Sequence, residues 1–181
     1  MSDLFIVPDS SFFICFLDDI EKPQQIIDLL DAKPFSFFIG KITSKEIQKS
    51  HHFAIIEKKF LQQITVYDYF EYGEIAKMFF SESELKKGEH EVFIIAFILA
   101  TNGNPFIAII DDNDAKKFFK TNIPEKSDYV TGTVGFIRFC CCKYNVFIKD
   151  VAIDILVAIK QSKFYVPLPI LDATIEEIRM C

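Results

Sequence analysis

Residues 106–112 read FIAIIDD and residues 4–10 read LFIVPDS, two short apolar runs that each lead into aspartate. A strand that is buried on both faces of a parallel sheet typically has a short and nearly continuous apolar sequence of this kind. Ligands of open α/β sheets bind just beyond the carboxyl ends of such strands. The two runs therefore predict that Asp9 and Asp111, with its neighbour Asp112, stand at one edge of a sheet.

The rest of the chain predicts strands and helices in alternation. Further apolar runs indicate strands at residues 35–40, 64–67 and 129–131, and helical patterns separate them, including one at about residues 72–80. This alternation favours a three-layer α/β/α sandwich around a central, mostly parallel sheet. The sequence has no repeat, low-complexity tract or linker, so residues 1–181 are predicted to form a single domain.

Local signals predict where the first helices begin. Ser10 or Ser11 is expected to cap the helix that follows the first strand. Thr43 and Glu46 match a capping box, which predicts one helix that extends through Ile56. On this interpretation the two adjacent histidines of the chain lie on the surface of that helix.

Composition indicates a folded globular protein, with 50% hydrophobic and 25% charged residues. The longest apolar stretch, residues 92–100, is far shorter than the roughly 20 residues needed to cross a bilayer. The acidic start of the chain lacks the basic residues of a secretory signal, so we expect a cytoplasmic protein with no membrane partner. The five cysteines include no C-x-x-C pair and are predicted to be reduced, with one or two of residues 140–142 in the core.

The net charge is −6, which bears on nucleic-acid binding. Proteins that bind nucleic acid are often basic overall, because neutralising phosphates supplies much of the affinity. A protein of this charge that acts on nucleic acid must therefore make contact through local lysines and a bound metal ion.

Acidic residues stand at predicted strand ends and in the first turns of predicted helices: Asp9, Glu46, Glu89, Asp111 and Asp112. Each has an ordinary structural interpretation, because acids stabilise the first turn of a helix and aspartate favours turns. Carboxylates that are brought together repel one another unless a cation lies between them. Convergence of these side chains would therefore indicate a site for a divalent metal ion.

Five segments carry a resemblance that goes beyond the single residues: VPDSSF at 7–12, TSKEI at 43–47, GEHEVFIIA at 88–96, IIDDNDA at 109–115 and VTGTVG at 130–135. Their order and spacing resemble the PIN-domain family, the fold of VapC-type toxins and related ribonucleases. They are most similar to a prokaryotic subgroup with a GExEA helix start, a DD strand end and a TGTxG turn. The resemblance covers almost the whole chain.

The resemblance implies a metal-dependent endoribonuclease that hydrolyses RNA phosphodiester bonds with Mg²⁺ or Mn²⁺. The residues that match the family's catalytic acids are Asp9, Glu46, Glu89 and Asp112, and the implied metal ligands are Asp9, Glu89, Asp111 and Asp112. Candidate supporting residues are Ser10, Glu91 and Asp114, and candidate substrate contacts are Lys45, Lys116 and Lys117.

The implied partners are RNA, an antitoxin protein and a second copy of the chain, with the apolar segment 167–171 as a candidate interface. Two alternatives remain open. One is a PIN-like domain that binds RNA or protein with little or no turnover. The other is a different α/β metal enzyme, receiver-like or phosphatase-like, although no D-x-D follows the first strand.

Overall fold

The central sheet consists of five parallel strands: β1 (Leu4–Pro8), β2 (Phe35–Gly40), β3 (Ile64–Tyr67), β4 (Phe106–Ile109) and β5 (Val130–Thr131). They are seen in a computed structural model that describes residues 4–67, 74–80 and 87–181. The strand order is β3-β2-β1-β4-β5. Helices cover both faces of the sheet, so the predicted α/β/α sandwich is confirmed.

Helices connect the strands and follow the last of them: α1 (Ser10–Ile14), α2 (Pro23–Leu30), α3 (Lys41–Ile47), α4 (Phe53–Gln63), α5 (Gly88–Thr101), α6 (Asn113–Asn122), α7 (Thr133–Cys142), α8 (Lys149–Gln161) and α9 (Leu168–Met180). A π-helical turn, Cys15–Asp19, continues α1, and a 3-10 helix, Pro124–Tyr129, precedes β5. The helix predicted at residues 72–80 lies partly outside the described residues.

Successive residues of the central strands face two separate hydrophobic cores. Ile107 and Ile109 of β4 belong to the core beneath α1, α2 and α7, whereas Phe106 and Ala108 belong to the core beneath α5 and α6. Neighbouring side chains of a strand point to opposite faces, so a strand between two cores must be apolar at every position. This explains why the run at 106–110 has no polar residue.

The order of the strands creates a switch point between β1 and β4. The chain proceeds outward from β1 to β2 and β3, and then crosses back to place β4 and β5 on the other side of β1. The backbone N–H of Asp9 donates to the carbonyl of Ile109 at 3.0 Å, so the two central strands stay paired up to their carboxyl ends. The crevice outside such a switch point is where open α/β sheets bind ligands.

The single helix predicted from Thr43 through Ile56 is wrong, because α3 ends at Ile47 and α4 begins at Phe53. The two histidines therefore lie in a turn. The carboxylate of Asp18, in the π-helical turn, accepts a hydrogen bond from the Ser50 hydroxyl at 2.8 Å and lies 3.4 Å from His52 Nδ1. These side-chain contacts stabilise the turn.

The prediction that all cysteines are reduced is also wrong, because a disulfide joins Cys142, at the end of α7, to Cys181. Cys15, Cys140 and Cys141 are free and buried, which confirms core packing for two cysteines of the consecutive three. Among the helices that the structure describes, none has the length and apolar character of a membrane span.

Candidate functional site

A cleft of about 770 Å³ lies beyond the carboxyl ends of β1 and β4, at the switch point of the sheet. We call it the acidic cleft, and its lining includes Asp9, Ser10, Ser11, Glu46, Glu89, Asp111 and Asp112. The fold thus brings every predicted catalytic acid and every predicted metal ligand to one cleft, although they come from four parts of the chain.

Asp9 is the most buried of these acids, with 7% of its surface exposed. Its Oδ1 atom accepts hydrogen bonds from the Ser11 hydroxyl at 2.6 Å and from the Phe12 backbone N–H at 3.2 Å. Asp9 itself therefore caps α1, and the predicted capping by Ser10 or Ser11 is wrong. The pKa of Asp9 is raised to about 6, chiefly by burial and also by the charge of Asp111, against the opposing effect of its hydrogen bonds.

Asp111 is held in a fixed orientation by the first residue of α7. The backbone N–H of Thr133 donates to Asp111 Oδ1 at 2.9 Å, and the Thr133 hydroxyl donates to Oδ2 at 2.5 Å. The Ser11 hydroxyl, which donates to Asp9, lies 3.4 Å from the same Oδ2 atom. The Ser11 hydroxyl therefore lies between the two carboxylates, and Asp9 and Asp111 form the inner pair of the cleft.

Close packing at Gly132 brings a cation next to this pair. A Cβ atom at residue 132 would lie 2.8 Å from Asp111 Oδ1 and 3.1 Å from Lys116 Nζ. Any larger residue would push the carboxylate or the ammonium group away. The absence of a side chain at residue 132 thus allows Lys116, a predicted substrate contact, to lie beside Asp111.

Glu46 faces the cleft from α3. Its Oε2 atom accepts a hydrogen bond from the Ser10 hydroxyl at 2.6 Å, which links α3 to the start of α1. The structure thus places Ser10, a predicted supporting residue, in direct contact with a predicted catalytic acid.

Glu91 lies beneath the cleft and is not part of its lining. It is 3% exposed, and its two carboxylate oxygens accept the backbone N–H groups of Ile42 at 3.0 Å and Thr43 at 2.9 Å. A carboxylate from α5 therefore caps α3, and the predicted capping box of Thr43 and Glu46 is wrong. Glu91 acts on the site indirectly, by fixing the helix that carries Glu46.

Glu89 and Asp112 border the acidic cleft from α5 and from the start of α6. Glu89 is half-buried and lies 3.8 Å from the ammonium group of Lys87. Asp112 is exposed, and its Oδ1 atom caps α6 by accepting the Ala115 N–H at 2.7 Å. Asp114 is exposed and borders a smaller hollow that also includes Glu89 and Asp112. Of the two consecutive aspartates, Asp111 is therefore the partner of Asp9.

The acids of the cleft do not form a compact three-carboxylate cluster. In the described part of the chain, one group of three His, Cys, Asp or Glu side chains has ligand atoms that all lie within 4.8 Å of one another. It consists of Cys141, Cys142 and Cys181. The cleft instead offers an inner pair of carboxylates with other acids farther out. Carboxylate and hydroxyl oxygens suit a hard cation such as Mg²⁺ or Mn²⁺, which keeps several water ligands.

A buried hydroxyl group next to the cleft lacks a hydrogen-bond partner among the described residues. Thr43 is fully buried, and its Oγ1 atom has no hydrogen-bond partner among the described residues. A Cβ atom at Gly88, in the cleft lining, would lie 3.1 Å from Thr43 Oγ1 and 3.0 Å from Glu46 Oε2. Buried polar groups are almost always satisfied, so this hydroxyl is an exception next to the cleft lining.

The lysines divide into two groups. Lys49 and Lys87 line the acidic cleft. Lys45 is exposed on α3 and Lys117 is exposed on α6, and neither borders the cleft.

Sequence reasoning missed the roles of Ser11 and Thr133. Ser11 was considered only as a helix cap, whereas its hydroxyl connects the inner pair of carboxylates. The signal for Thr133 was present in the TGT sequence at residues 131–133, which belongs to the segments that resemble the PIN-domain family, but no role was assigned to this threonine.

No protein-family model, no curated protein and no solved structure matches this chain. The resemblance to the PIN-domain family therefore stays a prediction based on the sequence segments.

Proposed function

We propose that the protein hydrolyses phosphodiester bonds of RNA with a Mg²⁺ or Mn²⁺ ion bound in the acidic cleft. The proposal is carried by the inner pair, Asp9 and Asp111, which stands at the ends of the two central strands. Burial and mutual repulsion raise the pKa of Asp9, and a cation between the carboxylates would offset both effects.

Asp9 and Asp111 are the residues that would hold the metal ion, with Glu46, Glu89 and Asp112 available to bind its water ligands. A metal ion in such a site polarises the phosphoryl oxygen and lowers the pKa of a bound water. The protein orients the two carboxylates before a metal ion binds, because hydrogen bonds already hold the side chains of Asp9 and Asp111 in place.

Proton transfer and substrate binding fall to residues on the walls of the cleft. Ser10 holds Glu46 Oε2, which leaves Glu46 Oε1 to accept a proton from the attacking water. Lys49 and Lys87 supply positive charge in the cleft lining, where the phosphates of RNA would lie. This local charge is needed because the whole chain is acidic.

A second candidate function is binding of RNA or protein without turnover. It is favoured by the absence, within the described residues, of three carboxylates whose oxygens approach one another within 4.8 Å.

The proposal of an RNA hydrolase has further parts: a role as a toxin, an antitoxin partner, a homodimer and a cytoplasmic location. Leu168, which is 53% exposed, supports a protein contact in the segment 167–171.

The proposal is tested by cleavage of a labelled single-stranded RNA after removal of metal with EDTA and addition of Mn²⁺ or Mg²⁺. We expect cleavage only with added metal, and a loss on the order of 100-fold or more in Asp111→Asn. Asp150→Asn is the matched control, because Asp150 is exposed in the first turn of α8 and is not part of the cleft lining. Cleavage that survives in EDTA, or equal rates for Asp111→Asn and Asp150→Asn, would contradict the proposal. Metal and RNA binding with no cleavage would select the second candidate function.

A further inference from the structure

A second groove adjoins the acidic cleft at Asp111, one member of the inner pair. It has a volume of about 470 Å³ and shares Asp111 with the acidic cleft. Its lining includes Lys116, Gly132, Arg138, Tyr165 and Ile170. We call it the Tyr165 groove. A polymer bound across Asp111 would therefore extend from one depression into the other.

Tyr165 is the feature of this groove that most needs an explanation. It lies in the connection between α8 and α9 and is 87% exposed. Tyrosine is enriched at interfaces, because its ring offers apolar contact area while its hydroxyl stays in water. Nucleic-acid bases that are not paired stack on such rings in proteins that bind single strands.

The lining of the groove carries two cationic side chains, Lys116 and Arg138. Lys116 Nζ approaches the backbone of Gly132 beside Asp111, so positive charge lies next to the proposed reaction centre. Arg138 forms an ion pair with Glu177, and both side chains remain half exposed. An exposed ion pair is weak, so a phosphate group can compete with Glu177 for the guanidinium group.

We propose that the Tyr165 groove binds the single-stranded RNA that leaves the acidic cleft, with a phosphate beside Lys116 and an unpaired base stacked on Tyr165. This inference rests on the proposed function and adds a surface on which the substrate strand is held outside the acidic cleft. A duplex does not fit the proposal, because its bases are stacked on one another and offer no free face to the ring.

The test measures the affinity for fluorescent RNA by anisotropy in the Asp9→Asn background with Mg²⁺ present, so that cleavage does not interfere. We expect Tyr165→Leu to weaken binding of single-stranded RNA about tenfold, while Tyr165→Phe, which keeps the ring, binds like the parent. Binding of duplex RNA should be the same in all three proteins. Lys116→Gln should reduce the slope of log affinity against log salt concentration by about the amount that corresponds to one phosphate contact.

The inference is overturned if Tyr165→Leu binds single-stranded RNA as tightly as the parent, or if the parent binds no RNA. It is also overturned if Tyr165→Leu leaves RNA affinity unchanged and instead disrupts a dimer in sedimentation experiments. Failure of the proposed function gives a different result, in which the wild-type protein cleaves nothing with Mn²⁺ while the effect of Tyr165→Leu on binding persists.

Discussion

Replacing Asp9 with asparagine is expected to abolish RNA cleavage and, in the metal-free protein, to raise the free energy of unfolding at pH 8. The hydrogen bonds from Ser11 and Phe12 do not depend on the charge of Asp9, since the amide oxygen of asparagine can still accept them. The difference lies in the charge itself, because a carboxylate at this position must ionise in a buried site beside Asp111.

The direction of the pH dependence follows from the pKa of Asp9, which is about 6 in the folded protein against an ordinary value of 3.8. The folded state therefore binds this proton more tightly than the unfolded state does. The resulting stabilisation is complete below about pH 4 and is lost as the pH rises through about 6. A shift of this size corresponds to about 3 kcal/mol, so Asp9→Asn should gain about 1–3 kcal/mol over wild type at pH 8.

The measurement is urea unfolding of wild type and Asp9→Asn in EDTA at several pH values between about 4.5 and 8. The difference in free energy of unfolding should increase with pH and then level off above about pH 7. Asp150→Asn, an exposed aspartate variant, should show no such increase. A constant difference across the whole range would show that ionisation of Asp9 does not destabilise the fold.

The second large effect is expected at Gly40, where a Cβ atom would lie 2.2 Å from the Glu91 carboxyl carbon. Gly40→Ala should lower the free energy of unfolding by about 2–4 kcal/mol, because the buried carboxylate that caps α3 must move. Glu91→Ala should cost a similar amount, since it leaves the N–H groups of Ile42 and Thr43 without their acceptor.

A double-mutant cycle gives this prediction its control. Once Glu91 is replaced by alanine, the added methyl group at residue 40 no longer meets the carboxylate, so Gly40→Ala should cost little in that background. Urea unfolding of the four proteins measures the coupling. Strictly additive losses would mean that Gly40 and Glu91 act separately, and the account of how α3 is positioned would be wrong.

The sequence predicted the part of the site that depends on strand ends. Apolar runs at residues 4–8 and 106–110 identified two buried strands, and parallel strands deliver the residues that follow them to one edge. The order of the strands in the sheet did not need to be known, because the carboxyl ends of all strands lie at the same edge of a parallel sheet. This is why Asp9 and the aspartate pair could be placed together.

The sequence did not distinguish Asp111 from Asp112, because that choice depends on a distant residue. Thr133, 22 positions farther along the chain, holds the Asp111 carboxylate with two hydrogen bonds, whereas Asp112 turns to cap its own helix. Local sequence preferences allow either aspartate to cap a helix or to face the cleft. The hydrogen bonds from Thr133 determine that Asp111 is the one that pairs with Asp9.

Two other errors have the same origin in long-range contacts. The capping box at Thr43 matched a local pattern, but a buried carboxylate 48 positions away took the Thr43 N–H group. The break between α3 and α4 falls at residues 48–52, which contain no glycine or proline to signal it. Contacts of that turn with Asp18 supply the stabilisation that the local sequence does not reveal.

We expect Asp9 and Asp111 to bind a hard divalent cation, and calorimetric titration with Mn²⁺ measures this binding. Wild type and Asp150→Asn should bind Mn²⁺ with the same affinity, and Asp111→Asn should bind at least about tenfold more weakly, a loss of about 1.4 kcal/mol. Equal affinity in wild type and Asp111→Asn, or no heat of binding in wild type, would contradict the claim.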